Sequence, residues 1–156
     1  MNDELRAQDW KVRTAAYRHL IDTFTAPGTA DLARRLDMPA DEVAASLERL
    51  AAGHQIVLAP GETRIWMLHP FSATRTDFPV DVEGGTYWAN CAWDAFGIPA
   101  VLGGDSRTQT RCAESGVAIE FGVRDGALIG GRVQDERTLI HFAVPARHWY
   151  DNVAFT

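Results

Sequence analysis

Apolar residues recur at helical spacing over residues 10–24, where Val12, Ala16, Leu20, Ile21 and Phe24 form one stripe before Ala26-Pro27-Gly28 interrupts it. Thr29 is suited to cap a shorter helix carrying Leu32, Ala33 and Leu36, which stops at Asp37-Met38-Pro39. A third helix from about Ala40 places Val43, Leu47 and Leu50 on its buried face and ends near Gly53. The period then changes. Residues 55–59 and 63–68 predict two strands joined by the turn residues Pro60-Gly61-Glu62. Three helices and a hairpin predict a winged helix-turn-helix-like lobe over residues 1–74.

Residues 75–79, Arg-Thr-Asp-Phe-Pro, are the nearest thing to a linker, and residues 75–156 predict a second lobe. Residues 78–82 alternate as a short strand, and Glu83-Gly84-Gly85 turns into a helix bearing Cys91, weakened at its end by Gly97 and Pro99. Strand-like runs follow at 109–113, 117–123, around Leu128-Ile129 and at 138–144, separated by Glu114-Ser115-Gly116, Asp125-Gly126 and Gly130-Gly131. The expected fold class is α+β: a helical lobe packed on a small, mostly antiparallel sheet with a helix.

Composition narrows the function. A 156-residue chain that is 46% hydrophobic can bury a substantial core. Its net charge of −6 disfavours phosphate backbones and anionic lipid headgroups unless basic residues cluster. The third helix would present Ala40, Asp41, Glu42 and Glu48 to a major groove with only Arg49 to balance them, so nucleic acid is not the expected partner. Arg34 and Arg35 read as a solvated face. No apolar run approaches the ~20 residues of a membrane span. Two cysteines and an N-terminus without an export pattern make a reducing cytoplasm the expected compartment.

The chemistry concentrates in residues 86–100. In a helix Cys91 and Asp94 would share a face, pairing a nucleophile with an acid. The thiolate is the reactive form of cysteine, and burial among Tyr87, Trp88, Trp93 and Phe96 would raise the Asp94 pKa into a range useful for proton transfer. The competing reading makes Cys91 a small buried hydrophobe and Asp94 a surface or capping residue. Cys112, in an expected strand, reads as a buried structural thiol, and His141 as a core histidine on a sheet face. His19, His54, His69 and His148 form no pattern. Neither a zinc-ligand spacing nor a phosphate loop is present, and no cofactor is expected.

Residues 87–103, with Cys91-Ala92-Trp93-Asp94 and then Pro99-Ala100 and Gly103, resemble the signature of the organomercurial (alkylmercury) lyase family. Arg111-Cys112-Ala113-Glu114-Ser115-Gly116 is similar to that family's next cysteine segment, and Ile140-His141-Phe142-Ala143, with Pro145 and Trp149, to its later strand and turn. The resemblance implies an N-terminal lobe that does not act on DNA. It also implies protonolysis of a carbon–mercury bond, with Cys91 as the first thiolate and mercury ligand and Asp94 as the proton carrier.

The family's second catalytic cysteine precedes the strand matched by 139–143, where this chain reads Glu136-Arg137-Thr138. Cys112 matches a non-catalytic cysteine, and the chain ends at Thr156 where full lyases continue. The expectation is therefore a short relative that acts on mercury inefficiently or on another carbon–heteroatom bond. Its partner would be a small-molecule substrate or a soft metal ion, with Arg137, Trp93 and Tyr87 as candidate substrate contacts. The alternative is a metal- or ligand-sensing regulator without catalysis.

Overall fold

The computed structural model describes residues 5–130 and 139–153. Helices α1 (Ala7–Thr23), α2 (Thr29–Leu36) and α3 (Ala40–Ala52) pack through the apolar stripe expected of them, burying Val12, Ala16, Leu20, Leu32, Val43, Leu47 and Leu50. Each such side chain removed from water contributes about 1.5–3 kcal/mol, so this stripe defines the bundle. An ion pair ties its ends together. Asp9, in the first turn of α1, accepts from the Arg6 backbone N–H at 2.9 Å. It also takes a forked contact from Arg49 of α3, at 2.7 Å from Nη2 and 3.0 Å from Nε.

Strands β1 (Val57–Leu58) and β2 (Ile65–Leu68) form the expected antiparallel hairpin. A third strand that periodicity does not reveal, β3 (Phe71–Ser72), pairs with β2 in register Met67↔Ser72 and Leu68↔Phe71. Two residues cannot show a period. The tip of this second hairpin is His69-Pro70, joined by a cis peptide bond.

Five later strands form one antiparallel sheet of order β5-β4-β6-β7-β8, with β4 (Pro79–Val82), β5 (Gly85–Trp88), β6 (Ser106–Arg111), β7 (Ala118–Arg124) and β8 (Ala127–Gly130). Helix α4 (Ala92–Leu102) packs on β4 and β7, burying Ala95, Ile98 and Pro99. The α+β class is as the sequence predicts. The expected linker is not slack. Thr76 Oγ1 donates to the Ala89 carbonyl at 2.6 Å, and the Ala89 N–H donates to the Phe78 carbonyl at 3.0 Å. Among the described residues no helix is long and apolar enough to cross a membrane.

Two expected elements differ. Residues 86–88 are strand, not helix: the positive φ of Gly84 closes a turn back onto β4, and a β-branched residue followed by two aromatics fits a pleated surface. Described residues 139–144 are not strand. They run in irregular conformation with Leu139, Ile140 and Phe142 exposed, before a 3₁₀ helix at Ala146–Asp151.

Gly97 marks where the hairpin tip meets α4. A Cβ there would lie 2.9 Å from the Pro70 Cβ, and a proline ring cannot swing aside. Gly97→Ala gains about 1 kcal/mol of helix propensity but overpacks this contact by about 1–3 kcal/mol. The expected net result is a loss of about 1 kcal/mol, read as a melting point lower by about 2–4 °C.

Candidate functional site

Cys91 does not lie within a helix as expected; it is the N-cap of α4, in extended conformation (φ −151°, ψ 179°), and Asp94 occupies the first turn. The reason is the strand before it. Tyr87 turns into the core and Ala89 bridges to Phe71, so the backbone is still extended at Cys91. An N-cap side chain and one three residues later face each other, as two positions on a helical stripe do. The Cys91 thiol donates to Asp94 Oδ2 at 3.6 Å.

Both groups are half-buried, and burial is the largest influence on each. It pushes the Cys91 thiol up, with the Asp94 charge adding to the rise and the backbone N–H groups of Asp94 and Trp93 opposing it. It pushes the Asp94 carboxyl up as well, against the pull of Asn90, His69 and Cys91. Neither group readily carries a charge alone. Each is harder to ionise here than in water.

The structure adds two residues that sequence reasoning missed. The Asn90 Nδ2 donates to the Pro70 carbonyl at 3.2 Å and lies 3.3 Å from His69 Nδ1. Helix α1 supports the same corner: Tyr17 donates its hydroxyl proton to the His69 carbonyl at 2.8 Å, and Arg13 Nη2 donates to the Tyr17 hydroxyl at 3.3 Å. Burial lowers the His69 pKa, Asp94 raises it and Arg13 lowers it further. Adjacency to Cys91 is a signal for Asn90. Only the β2–β3 hairpin and its packing on α4 bring in His69.

Other expected site residues lie elsewhere. Tyr87 is in the core, only 4% exposed, with its hydroxyl donating to the Ile21 carbonyl at 2.8 Å and its ring against Phe24 and Phe71. A side chain enclosed in this way presents no face to a substrate, so that assignment is corrected. Trp93 is 59% exposed and meets Phe142 edge to face, with Phe142 in turn stacked on Trp149. Arg137 lies outside the described residues.

Cys112 is half-exposed rather than buried. It sits just past β6 in the turn to β7, where the Ser115 N–H donates to its sulfur at 3.5 Å. Ser115 and neighbouring N–H groups lower its pKa. His141 is exposed on the irregular segment, not set on a sheet face, because no strand forms there. On α3, Asp41, Glu42 and Glu48 are exposed, while Arg49 turns inward to Asp9, leaving this face more acidic than its composition suggests. A groove of about 390 Å³ across the sheet, lined by Asp81, Glu83, Arg107 and Glu120, includes neither Cys91 nor Asp94.

The family profile described as alkylmercury lyase matches residues 71–156, more than half of the chain and all of the part that carries Cys91, Asp94 and Asn90. The chain belongs to the alkylmercury lyase family. Among solved structures, one titled as the crystal structure of the mercury-bound form of MerB2 shares its fold. The TM-score is 0.66 at 21% sequence identity, covering 81% of this chain and 60% of that one. This family member thus spans about three fifths of that protein. Among curated proteins, none matches it.

Proposed function

We propose that this family member cleaves carbon–mercury bonds by protonolysis, with Cys91 as nucleophile and mercury ligand and Asp94 as proton carrier. The observation that carries the reading is the 3.6 Å contact between the Cys91 thiol and the Asp94 carboxyl, on a helix N-terminus inside the family-matched segment. The substrate is an organomercurial R–Hg–X, where X is a small thiolate. The Cys91 proton passes to Asp94, and the thiolate bonds to mercury, a soft centre that prefers sulfur to oxygen donors. Asp94 then protonates the departing carbon. The electron pair of the carbon–mercury bond becomes the new C–H bond, and mercury remains on Cys91 and X. The proton that leaves sulfur is the one that ends on carbon, so none need be drawn from water.

The resemblance to the family implies two protein thiolates, and Arg137 stands near the position of the second. The thiolate carried in by the substrate takes that place here, which makes turnover slow and dependent on added thiol. Trp93, exposed at the first turn of α4, is proposed to contact the organic group. Residues 1–74 act as a winged-helix-like cover for residues 75–156, a role supported by the Tyr87 hydroxyl donating to the Ile21 carbonyl of α1. A DNA-binding sensor is the weaker reading, because Arg49 is committed to Asp9 and cannot balance the exposed carboxylates of α3.

The test is incubation with phenylmercury and excess small thiol, measuring benzene by gas chromatography. Stoichiometric benzene from wild-type protein is expected. Unchanged organomercurial in the presence of folded protein would sink the proposal.

A further inference from the structure

The residue before the thiol is tied to helix α1 through the β2–β3 hairpin tip. Asn90 Nδ2 donates to the Pro70 carbonyl at 3.2 Å. Flipping that amide would set its oxygen against the carbonyl oxygen, so the assignment holds. The tip is itself gripped from two sides. On one, the Tyr17 hydroxyl of α1 donates to the His69 carbonyl at 2.8 Å. On the other, Pro70 lies against Gly97 of α4, where an added Cβ would meet the proline ring at 2.9 Å. Arg13 settles the direction of the Tyr17 contact. A guanidinium only donates, so at 3.3 Å from Arg13 Nη2 the hydroxyl accepts, and its own proton goes to His69. The centre of that guanidinium also stands 4.7 Å from the middle of the Tyr17 ring, which holds the ring by its face.

The part of the backbone that Asn90 holds is the part that carries the thiol. Before it, the Ala89 N–H donates to the Phe78 carbonyl at 3.0 Å, and the Ala89 carbonyl accepts from Thr76 Oγ1 at 2.6 Å. After it, the Cys91 carbonyl accepts from the Ala95 N–H at 3.1 Å, which opens the ladder of α4. Strand becomes helix across Asn90 and Cys91, and the Asn90 amide ties that change of direction to the hairpin tip. We propose that Asn90 and Tyr17 are positioning residues for Cys91, Asn90 directly and Tyr17 through the tip, so that helix α1 helps to set the thiol against Asp94. The consequence for turnover rests on the reading of Cys91 and Asp94 as the cleaving pair; the tie on the helix terminus does not.

Two measurements test it on the full chain, in a Cys112→Ser background that leaves Cys91 as the one thiol and at a temperature where every variant is folded. The first is hydrogen exchange. The Ala95 amide should exchange about tenfold faster in Asn90→Ala and about threefold faster in Tyr17→Phe, while that of Leu102, at the far end of α4, stays within about twofold. The second is single-turnover cleavage of phenylmercury after capture on Cys91. Capture needs a thiol but no alignment, so it should be unchanged. Cleavage needs both groups in register, and a misplacement of about 1 Å costs about 10²-fold. Asn90→Ala should therefore be slower by about 10–100-fold and Tyr17→Phe by about threefold. The double variant should be no slower than Asn90→Ala alone, because Tyr17 acts through the amide that this change removes.

Losses that multiply in the double variant overturn the proposal. So do cleavage in Asn90→Ala equal to wild type, capture lost together with cleavage, and Ala95 exchange that rises no more than that of Leu102, the mark of a general loosening. If wild-type protein cleaves nothing while Ala95 exchange rises as stated and no further in the double variant, the catalytic reading fails and the positioning tie stands.

Discussion

Cys91→Ser should lose carbon–mercury cleavage by roughly 10³-fold or more, because a serine hydroxyl is neither a soft ligand nor readily ionised. Asp94→Asn should lose about 10²–10⁴-fold for a different reason: the mercurial still binds sulfur, but no acid waits for the carbon. The two variants therefore separate by a second measurement. Equilibrium dialysis with a mercurial should find one tight site in Asp94→Asn and none in Cys91→Ser beyond that due to Cys112. Equal mercurial binding in both would move the chemistry away from this helix terminus.

The pH profile follows from the same pair. In the proposed mechanism the competent state holds one proton between Cys91 and Asp94, so activity should be lost when both are protonated and when neither is. Burial raises the carboxyl, so the acid limb should lie above the ordinary carboxylate range; burial also raises the thiol, so the alkaline limb should lie above the ordinary thiol range. Asp94→Asn should abolish the acid limb. An acid limb at the ordinary carboxylate value would show Asp94 in water.

The second large effect is on stability. Asp9 is buried and Arg49 nearly so, and their forked contact, with Ser46 Oγ accepting from Arg49 at 3.0 Å, joins α1 to α3. Asp9→Ala leaves a guanidinium indoors without its counter-charge and removes the acceptor for the Arg6 N–H. A loss of about 3–5 kcal/mol is expected, read as a shift of the urea midpoint at constant slope. Wild-type protein should show the pair in its acid unfolding. Burial raises the Asp9 pKa, but Arg49, the Arg6 N–H and Ser46 more than reverse this, to about 2 in the folded chain. The stabilisation is complete above the unfolded carboxyl's pKa of roughly 4 and is lost as pH falls through about 2, a difference of about 2 kcal/mol.

Much of this fold is readable from residue order. The helices α1 to α3 carry a stripe long enough to show a period, and β6 to β8 are separated by turn residues whose chemistry is local. The errors fall where local and tertiary signals compete. Over residues 86–91 a short apolar run permits helix or strand, and pairing with β4 decides it. Residues 139–144 have the composition of a strand, but the described part pairs with no strand. Cys91 and Asp94 were legible because N-cap geometry and a helical face both bring positions three apart together. His69 was not, because it reaches the site through a hairpin turn and the contact of Pro70 with Gly97.

One apolar core runs from Val12 and Leu20 in the bundle through Phe71 and Tyr87 to Phe121 in the sheet. The Tyr87 hydroxyl, in strand β5, donates to the Ile21 carbonyl of α1. The helices cannot exclude water from this core until that strand is in place. The chain should accordingly melt as one cooperative unit, with equal calorimetric and van't Hoff enthalpies. A lesion at Asp9, eighty-odd positions before the thiol, then lowers activity by depleting the population of folded molecules, leaving the turnover of each survivor untouched.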